Sequence, residues 1–210
     1  MSYNPGEYWT ERGKVYKQNF KYDRNFKLQE QIFVDYLKAF SFSTVLEVGC
    51  GFGRVTRLLL TNFPQIKEYF AFDLSPHQIE NAKLNIQDAN VEKEKIKFMV
   101  SDIQSFQSEK GYDLVIASEV FMHILPSEIN DIIRKLTHFS NEHMCNIDWY
   151  EEKPPKKAES FNFIHQYEQI YRDMPSVKNV HRIPIVKKGL LSKVDSKQSI
   201  FHAIFAKKTT

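Results

Sequence analysis

The sequence predicts an α/β fold: a seven-stranded, mostly parallel sheet with helices on both faces and an antiparallel hairpin at the C-terminal end. Three observations carry that expectation. A short apolar run, Val45-Leu46-Glu47-Val48, ends in glycines at alternate positions, Gly49, Gly51 and Gly53, and passes at once into a helical pattern (Val55, Leu58, Leu59). Strand-like and helix-like segments then alternate as far as Trp149, the rhythm of βαβ crossovers. Last, Asn179 to Val186 and Ser199 to Ala206 read as two strands joined by a short basic connection. A connection without a helix implies an antiparallel pair.

Taken in order, residues 6–18 and 24–40 read as two helices forming a cap over residues 1–43, ahead of a core at 44–210. Glu68 to Asp73 is a second strand. Ser75-Pro76 opens a helix through about Ile86, with Ser75 as N-cap and Pro76 at the first helical position. Lys95 to Val100 is a third strand ending at Ser101-Asp102, and Tyr112 to Ala117 is the fourth. A helix from Pro126 to His138 presents Ile129, Ile132, Ile133 and Leu136 on one face. Glu142 to Trp149 makes the fifth strand. Glu151 to Ser160 is a charged loop containing Pro154-Pro155, and Phe161 to Arg172 reads as helical, so residues 150–175 form an insertion. With no internal repeat, the chain reads as a single domain over 1–210.

Bulk composition narrows the class. At 210 residues the chain suits one domain with a full-sized core, and 42% hydrophobic with 26% charged residues is ordinary for a globular protein. No apolar run approaches the length of a membrane span, and the N-terminus lacks the apolar stretch of a signal peptide. Cys50 and Cys145 form no metal or disulfide pattern, so a cytoplasmic protein is expected. Net charge is +3, from 29 basic and 26 acidic residues, which demands no nucleic-acid partner. The basic residues that thicken towards the C-terminus (Lys178, His181, Arg182, Lys187, Lys188, Lys193, Lys197) read as a solvated edge, with nucleic-acid binding as the alternative.

Glycines are needed where a chain must turn sharply and let a ligand lie on bare backbone. The helix that follows points unpaired N–H groups into the turn, which suits a negatively charged group. Together these indicate a nucleotide-like cofactor. The dinucleotide fingerprint places glycines first, third and sixth; here the third comes at the fifth place and Arg54 fills the sixth. No Gly-Lys-Ser/Thr of a P-loop is present. With Glu47 ahead of it and Asp73 ending the next strand, the segment resembles motif I of the class I S-adenosyl-L-methionine (SAM)-dependent methyltransferases. The resemblance implies a Rossmann-like core, SAM as cofactor with S-adenosyl-L-homocysteine as product, and no metal.

It also implies roles. Gly49, Gly51 and Gly53 approach the methionine half of the ligand, and Glu47 helps orient its ammonium end, partly through water. Asp73 accepts hydrogen bonds from the ribose hydroxyls, with Leu74 on the adenine face. Asp102 receives the adenine amino group, with Ile103 beside the ring. Ser118 and Glu119 face the methionine and the transferring methyl. In the N-terminal segment, Tyr8, Trp9, Arg12 and Tyr16 fall around one side of a helix. They suggest a lid whose aromatics shield the sulfonium by cation–π contact, with Arg12 or Tyr16 on the ligand carboxylate. Packing of Trp9 and Tyr16 on the sheet is the alternative.

The acceptor is less plainly written. The loop after the fourth strand, Ser118-Glu119-Val120-Phe121-Met122-His123-Ile124, lacks the Asn/Asp-Pro-Pro-Tyr that methyltransferases of adenine and glutamine amides carry there. Its E-V-x-x-H-I form resembles enzymes acting on small molecules. His123 suggests a general base, or a packed histidine. Tyr8, His165 and Tyr167 join it as candidate acceptor-pocket residues, with His165 a second candidate base; a core helix is the alternative for residues 161–168. The expected reaction is methyl transfer to oxygen or nitrogen of a small molecule. The alternatives are an RNA or protein acceptor, and a non-catalytic SAM-binding module.

Overall fold

The computed structural model describes residues 3–20, 22, 24–151, 161–185 and 200–209. Seven strands form one sheet: β1 Thr44–Val48, β2 Glu68–Asp73, β3 Ile96–Val100, β4 Tyr112–Ser118, β5 Ser140–Tyr150, β6 Val177–Pro184 and β7 Ile200–Lys208. Their order is β3-β2-β1-β4-β5-β7-β6, parallel from β3 to β5. Strand β7 alone runs the other way, paired with β5 on one side and β6 on the other. The expected antiparallel pair is therefore present, with its second strand wedged inside the first.

Helices cover both faces. They are α1 Pro5–Gly13, α2 Tyr16–Asn19, α3 Arg24–Leu37, α4 Arg54–Asn62, α5 Pro76–Gln87, α6 Ile129–Phe139 and α7 Tyr167–Arg172. Side chains alternate across a strand, so Val45, Tyr69, Ala71, Leu114 and Ile116 face α3, α4 and α5. Leu46, Val48, Phe72, Val115 and Ala117 face α6 and α7. The stripe of Ile129, Ile132, Ile133 and Leu136 seals that second layer, each of them buried. Burying such residues at about 1.5–3 kcal/mol apiece supplies much of the drive for folding.

Several helix boundaries depart from expectation: α3 ends at Leu37 and not at Phe40, and α6 begins at Ile129 and not at Pro126. The first helix stops at Gly13 and α2 restarts at Tyr16, so the pattern predicted over 6–18 is broken at Lys14-Val15. The helix predicted from Phe161 begins only at Tyr167, because the backbone before it pairs with a distant loop. Phe163 N–H donates to Met122 O at 2.7 Å. Pro154-Pro155, Lys187, Lys188, Lys193 and Lys197 lie outside the described residues. Among the described residues, no helix is long and apolar enough to cross a membrane.

Gly13 ends α1 against the N-cap of α5, where a Cβ would sit 2.1 Å from Ser75 Oγ and 2.7 Å from Ser75 Cβ. Gly13→Ala is therefore expected to lift α1 off the core and leave the sheet intact. Limited proteolysis checks this: cleavage near residues 1–20 should accelerate while Tm falls little. Unchanged cleavage would show that Ser75 gives way instead.

Candidate active site

At the carboxyl end of the parallel strands, beneath the N-terminal cap, lies a cavity of about 620 Å³. Its floor is the turn from β1 to α4. Gly49 has φ +64°, and a Cβ there would lie 2.6 Å from the Val120 side chain. Gly53, the N-cap of α4, has φ +79°, and its Cβ would press within 3.1 Å of Ala82 on α5. The first glycine thus admits the loop after β4 and the third admits a helix, both against bare backbone.

Asp73 ties this turn to the next one. Its carboxylate accepts the Gly51 N–H and the Ser75 N–H, each at 2.9 Å. Burial pushes its pKa up, and those two N–H groups oppose the rise. Leu74 lines the cavity beside it. Asp102 is an exposed turn residue whose Oδ1 accepts Gln104 N–H and Ser105 N–H, both at 2.7 Å, and it borders the cavity with Ile103. Glu47 is 3% exposed and faces α4, accepting from Tyr69 OH at 2.8 Å and from Thr56 Oγ1.

The cation of the cavity is Arg54. It pairs with Glu30 of α3 at 3.0 Å and with Glu119 at 3.5 Å, and donates to Gln29 Oε1 at 3.2 Å and Ser118 Oγ at 3.4 Å. Arg12, expected to supply that charge, is exposed and is not among the lining residues. The break at Lys14-Val15 explains the difference, since the spacing that groups Arg12 with Tyr16 holds only along one unbroken helix. Arg54 and Gln78 are polar lining residues that sequence reasoning missed, and Gln29 holds Arg54 from outside the lining. Arg54 was visible only as the residue filling the sixth place of the loop. Buried Gln78 Oε1 has no hydrogen-bond partner among the described residues.

Aromatic groups form the roof. Trp9 Nε1 donates to Tyr3 OH at 3.1 Å, and Tyr3 OH donates to the carbonyl of His123 at 3.0 Å. Tyr16, whose pKa burial pushes up to about 12, closes the side near Glu119. Tyr8 stands outside the lining and stacks on Phe161, with ring centroids 5.2 Å apart.

The two histidines differ. His123 lines the cavity with its ring 4.3 Å from Trp9, and its Nδ1 lies 3.0 Å from Phe161 O. A carbonyl can only accept, so Nδ1 carries the proton and Nε2 the lone pair. Burial lowers its pKa to about 4, against the Phe161 carbonyl and the Asn162 side chain, so the ring is neutral at pH 7. His165, by contrast, is buried outside the lining, its Nε2 3.0 Å from Ile124 O. Tyr167 is wholly buried in the core beside His165 and Phe121. Both candidates of the insertion therefore support the wall from behind, because the chain at 161–166 pairs with the loop after β4 instead of forming a helix beside the cavity.

Burial raises Glu47 from an ordinary 4.5 to about 7, a rise that Thr56 and Tyr69 only partly oppose. Since the folded value exceeds the unfolded one, the unfolded chain loses its proton first as pH rises. Stability should fall between about pH 4.5 and 7 and level off above, by roughly 3 kcal/mol at most from this group. Glu47→Gln should flatten that slope in urea titrations at several pH values. An identical slope in both proteins would refute the assignment.

Residues 45–142 match a family described as "Methyltransferase domain". Among curated proteins, malonyl-[acyl-carrier protein] O-methyltransferase 1 of Ilyobacter polytropus is 35% identical over 80 residues, covering 38% of this chain and 28% of that protein. Ubiquinone biosynthesis O-methyltransferase of Rickettsia akari is 33% identical over 95 residues, covering 45% and 36%. The chain thus spans about a third of the length of the curated relatives it matches. Among solved structures, magnesium protoporphyrin IX methyltransferase from Synechocystis with bound SAM superposes with a TM-score of 0.71 at 14% identity, covering 99% of both chains. A plantazolicin methyltransferase with a substrate analogue and S-adenosylhomocysteine gives 0.67 at 17% identity, covering 97% of this chain and 94% of that one. Residues 45–142 thus resemble a methyltransferase domain, and the chain around them shares the fold of these solved methyltransferases.

Proposed function

We propose that this protein is a SAM-dependent methyltransferase acting on oxygen or nitrogen of a small molecule. In this reading it is one domain, with residues 1–43 capping a core at 44–210, at work in a reducing cytoplasm that keeps Cys50 and Cys145 as free thiols. The observation that carries the reading is the single cavity joining the glycine turn, Asp73, Asp102, the Arg54–Glu119 pair and neutral His123. Its residues fit the cofactor. An amino-acid end needs one cation and one anion, which Arg54 and Glu119 offer. Asp73 keeps lone pairs beyond the two backbone bonds for a pair of hydroxyls, and the orphaned Gln78 Oε1 calls for a donor.

When bound, SAM supplies an electrophilic methyl group on a positively charged sulfur with its own leaving group. The chain's part is alignment, exclusion of water and, where needed, removal of a proton. Trp9 and Tyr16 present aromatic surface suited to a sulfonium. His123 Nε2 is free of the Phe161 bond and can accept a proton from a hydroxyl or amine. Burial makes it a weak base, so alignment carries most of the rate. The roof of residues 3–9 over the cavity favours a small acceptor above an extended macromolecule. The curated relatives are named for a carrier-protein-linked malonyl group and for ubiquinone biosynthesis; by analogy, small or carrier-linked acids and phenols are the first acceptors to try.

Incubation with labelled SAM and separated metabolite, RNA and protein fractions tests the reading. Label in a small-molecule product supports it. Label confined to RNA or protein, abolished by neutralising Lys187 and Lys188, would replace it with a macromolecular one. Calorimetry should show SAM or S-adenosylhomocysteine binding, weakened by at least ~1.5 kcal/mol in Asp73→Ala through lost charge-assisted hydrogen bonds. Equal affinity in that variant would remove Asp73 from the site. His123→Ala should lower turnover about a hundredfold with cofactor affinity nearly intact if it is the base; full turnover would leave alignment alone. Deleting residues 1–20 should leave a folded core that binds SAM poorly and does not turn over.

A further inference from the structure

The loop after β4 brings Glu119 and His123 to the cavity, together with Val120, Ile124 and Leu125, and β5 pins it from behind. Glu119 N–H donates to Ile147 O at 2.7 Å, and Met122 N–H donates to Asp148 Oδ1 at 3.2 Å. Between these anchors Glu119 has φ +58°, a left-handed conformation that a residue with a Cβ keeps only when its surroundings hold it. Val120, next in the chain, packs into the space that a Cβ on Gly49 would occupy. The loop therefore has a narrow range of positions against the glycine turn.

Asp148 is an unusual residue for the middle of a sheet. It is wholly buried, lies outside the cavity lining, and no lysine or arginine pairs with it among the described residues. Its second oxygen accepts Asn146 Nδ2 at 2.8 Å, and Asn146 is also wholly buried. Burial pushes the Asp148 carboxyl up to about 8, opposed by the Asn146 side chain and by the Met122 and Val120 amides. A leucine of similar size would fill the same space without desolvating a carboxyl group. What a leucine cannot do is accept the amides of the loop.

We propose that Asp148 is a positioning residue for methyl transfer: through the Met122 amide it sets the loop after β4, and through that loop it holds Glu119 and His123 against the cavity. The consequence for methyl transfer rests on the methyltransferase reading, whereas the effect on the loop does not. Asn146 serves the same end by fixing the rotamer of Asp148.

Hydrogen exchange on the full chain, with calorimetry using S-adenosylhomocysteine, separates the two claims. In Asp148→Ala, amides of residues 119–124 should exchange at least about tenfold faster relative to those of β1 and β2, and the Kd for S-adenosylhomocysteine should rise about fivefold or more. Asp148→Asn keeps an oxygen acceptor and should restore most of both, which loss of core packing alone would not produce. Unchanged exchange at 119–124, or equal acceleration through the whole sheet, overturns the proposal. If the alanine variant does not fold, exchange in the unaltered protein decides: the Met122 amide should be protected at least about a hundredfold, and an unprotected Met122 overturns it. Failure of the unaltered protein to bind S-adenosylhomocysteine would overturn the methyltransferase reading and leave the role of Asp148 in holding the loop to be decided by exchange alone.

Discussion

Two backbone amides share one carboxylate, and the site depends on it. Asp73 accepts from Gly51 in the first βα turn and from Ser75 in the second, so two turns that are far apart in sequence are held as one surface. Ser75 Oγ in turn accepts the Gln78 N–H at the start of α5, and Gly13 rests on Ser75. One half-buried acid thereby sets the glycine loop, the start of a helix and the seat of the cap. Hydrogen bonds to an ionised acceptor are the strong ones. The same atoms that stabilise the turns also border the cavity, so a change here is felt in both stability and binding.

Acids outnumber bases around that cavity even without the partly protonated Glu47: Asp73, Asp102, Glu119 and Glu128 against Arg54. Such a field favours a ligand with a cationic centre. Arg54 does not float in it, because Glu30, Glu119, Gln29 and the Phe26 ring surround the guanidinium. Partly buried ion pairs of this kind seldom add net stability. Their effect is to fix α3 of the cap to the loop after β4, so the cap is joined to the core by charge on one side and by aromatic packing on the other.

How far the sequence disclosed this depended on whether the signal was local. Glu68–Asp73 was legible to the residue, because an apolar run there ends at an acid followed by Ser-Pro. The glycine turn was equally plain, since positive φ at three positions can hardly be met otherwise. The Arg54–Gln29 and Arg54–Glu30 contacts were not, for they join residues 25 and 24 apart that no periodicity links. His165 and Tyr167 show the same limit from the other side. Aromatic and histidine residues suit a pocket wall and a core alike, and what buried them is the pairing of 161–166 with the loop at 122–124. The position of Arg12 was misjudged for a smaller reason, a two-residue break in a helix with no proline to announce it.

The reversed strand has a consequence for how the chain reaches this structure. Strand β7 comes after β6 in sequence but lies between β5 and β6 in the sheet. Until it arrives, β6 has no partner and β5 shows an open edge along Met144, Cys145, Asn146 and Ile147, which β7 later pairs. Those pairings span some 60 residues of chain, a costly loop to close before any contact rewards it. An unpaired apolar edge is also the usual template for association between chains. At the end of the sheet remote from β1, delayed docking of β7 would thus favour association between chains over productive folding.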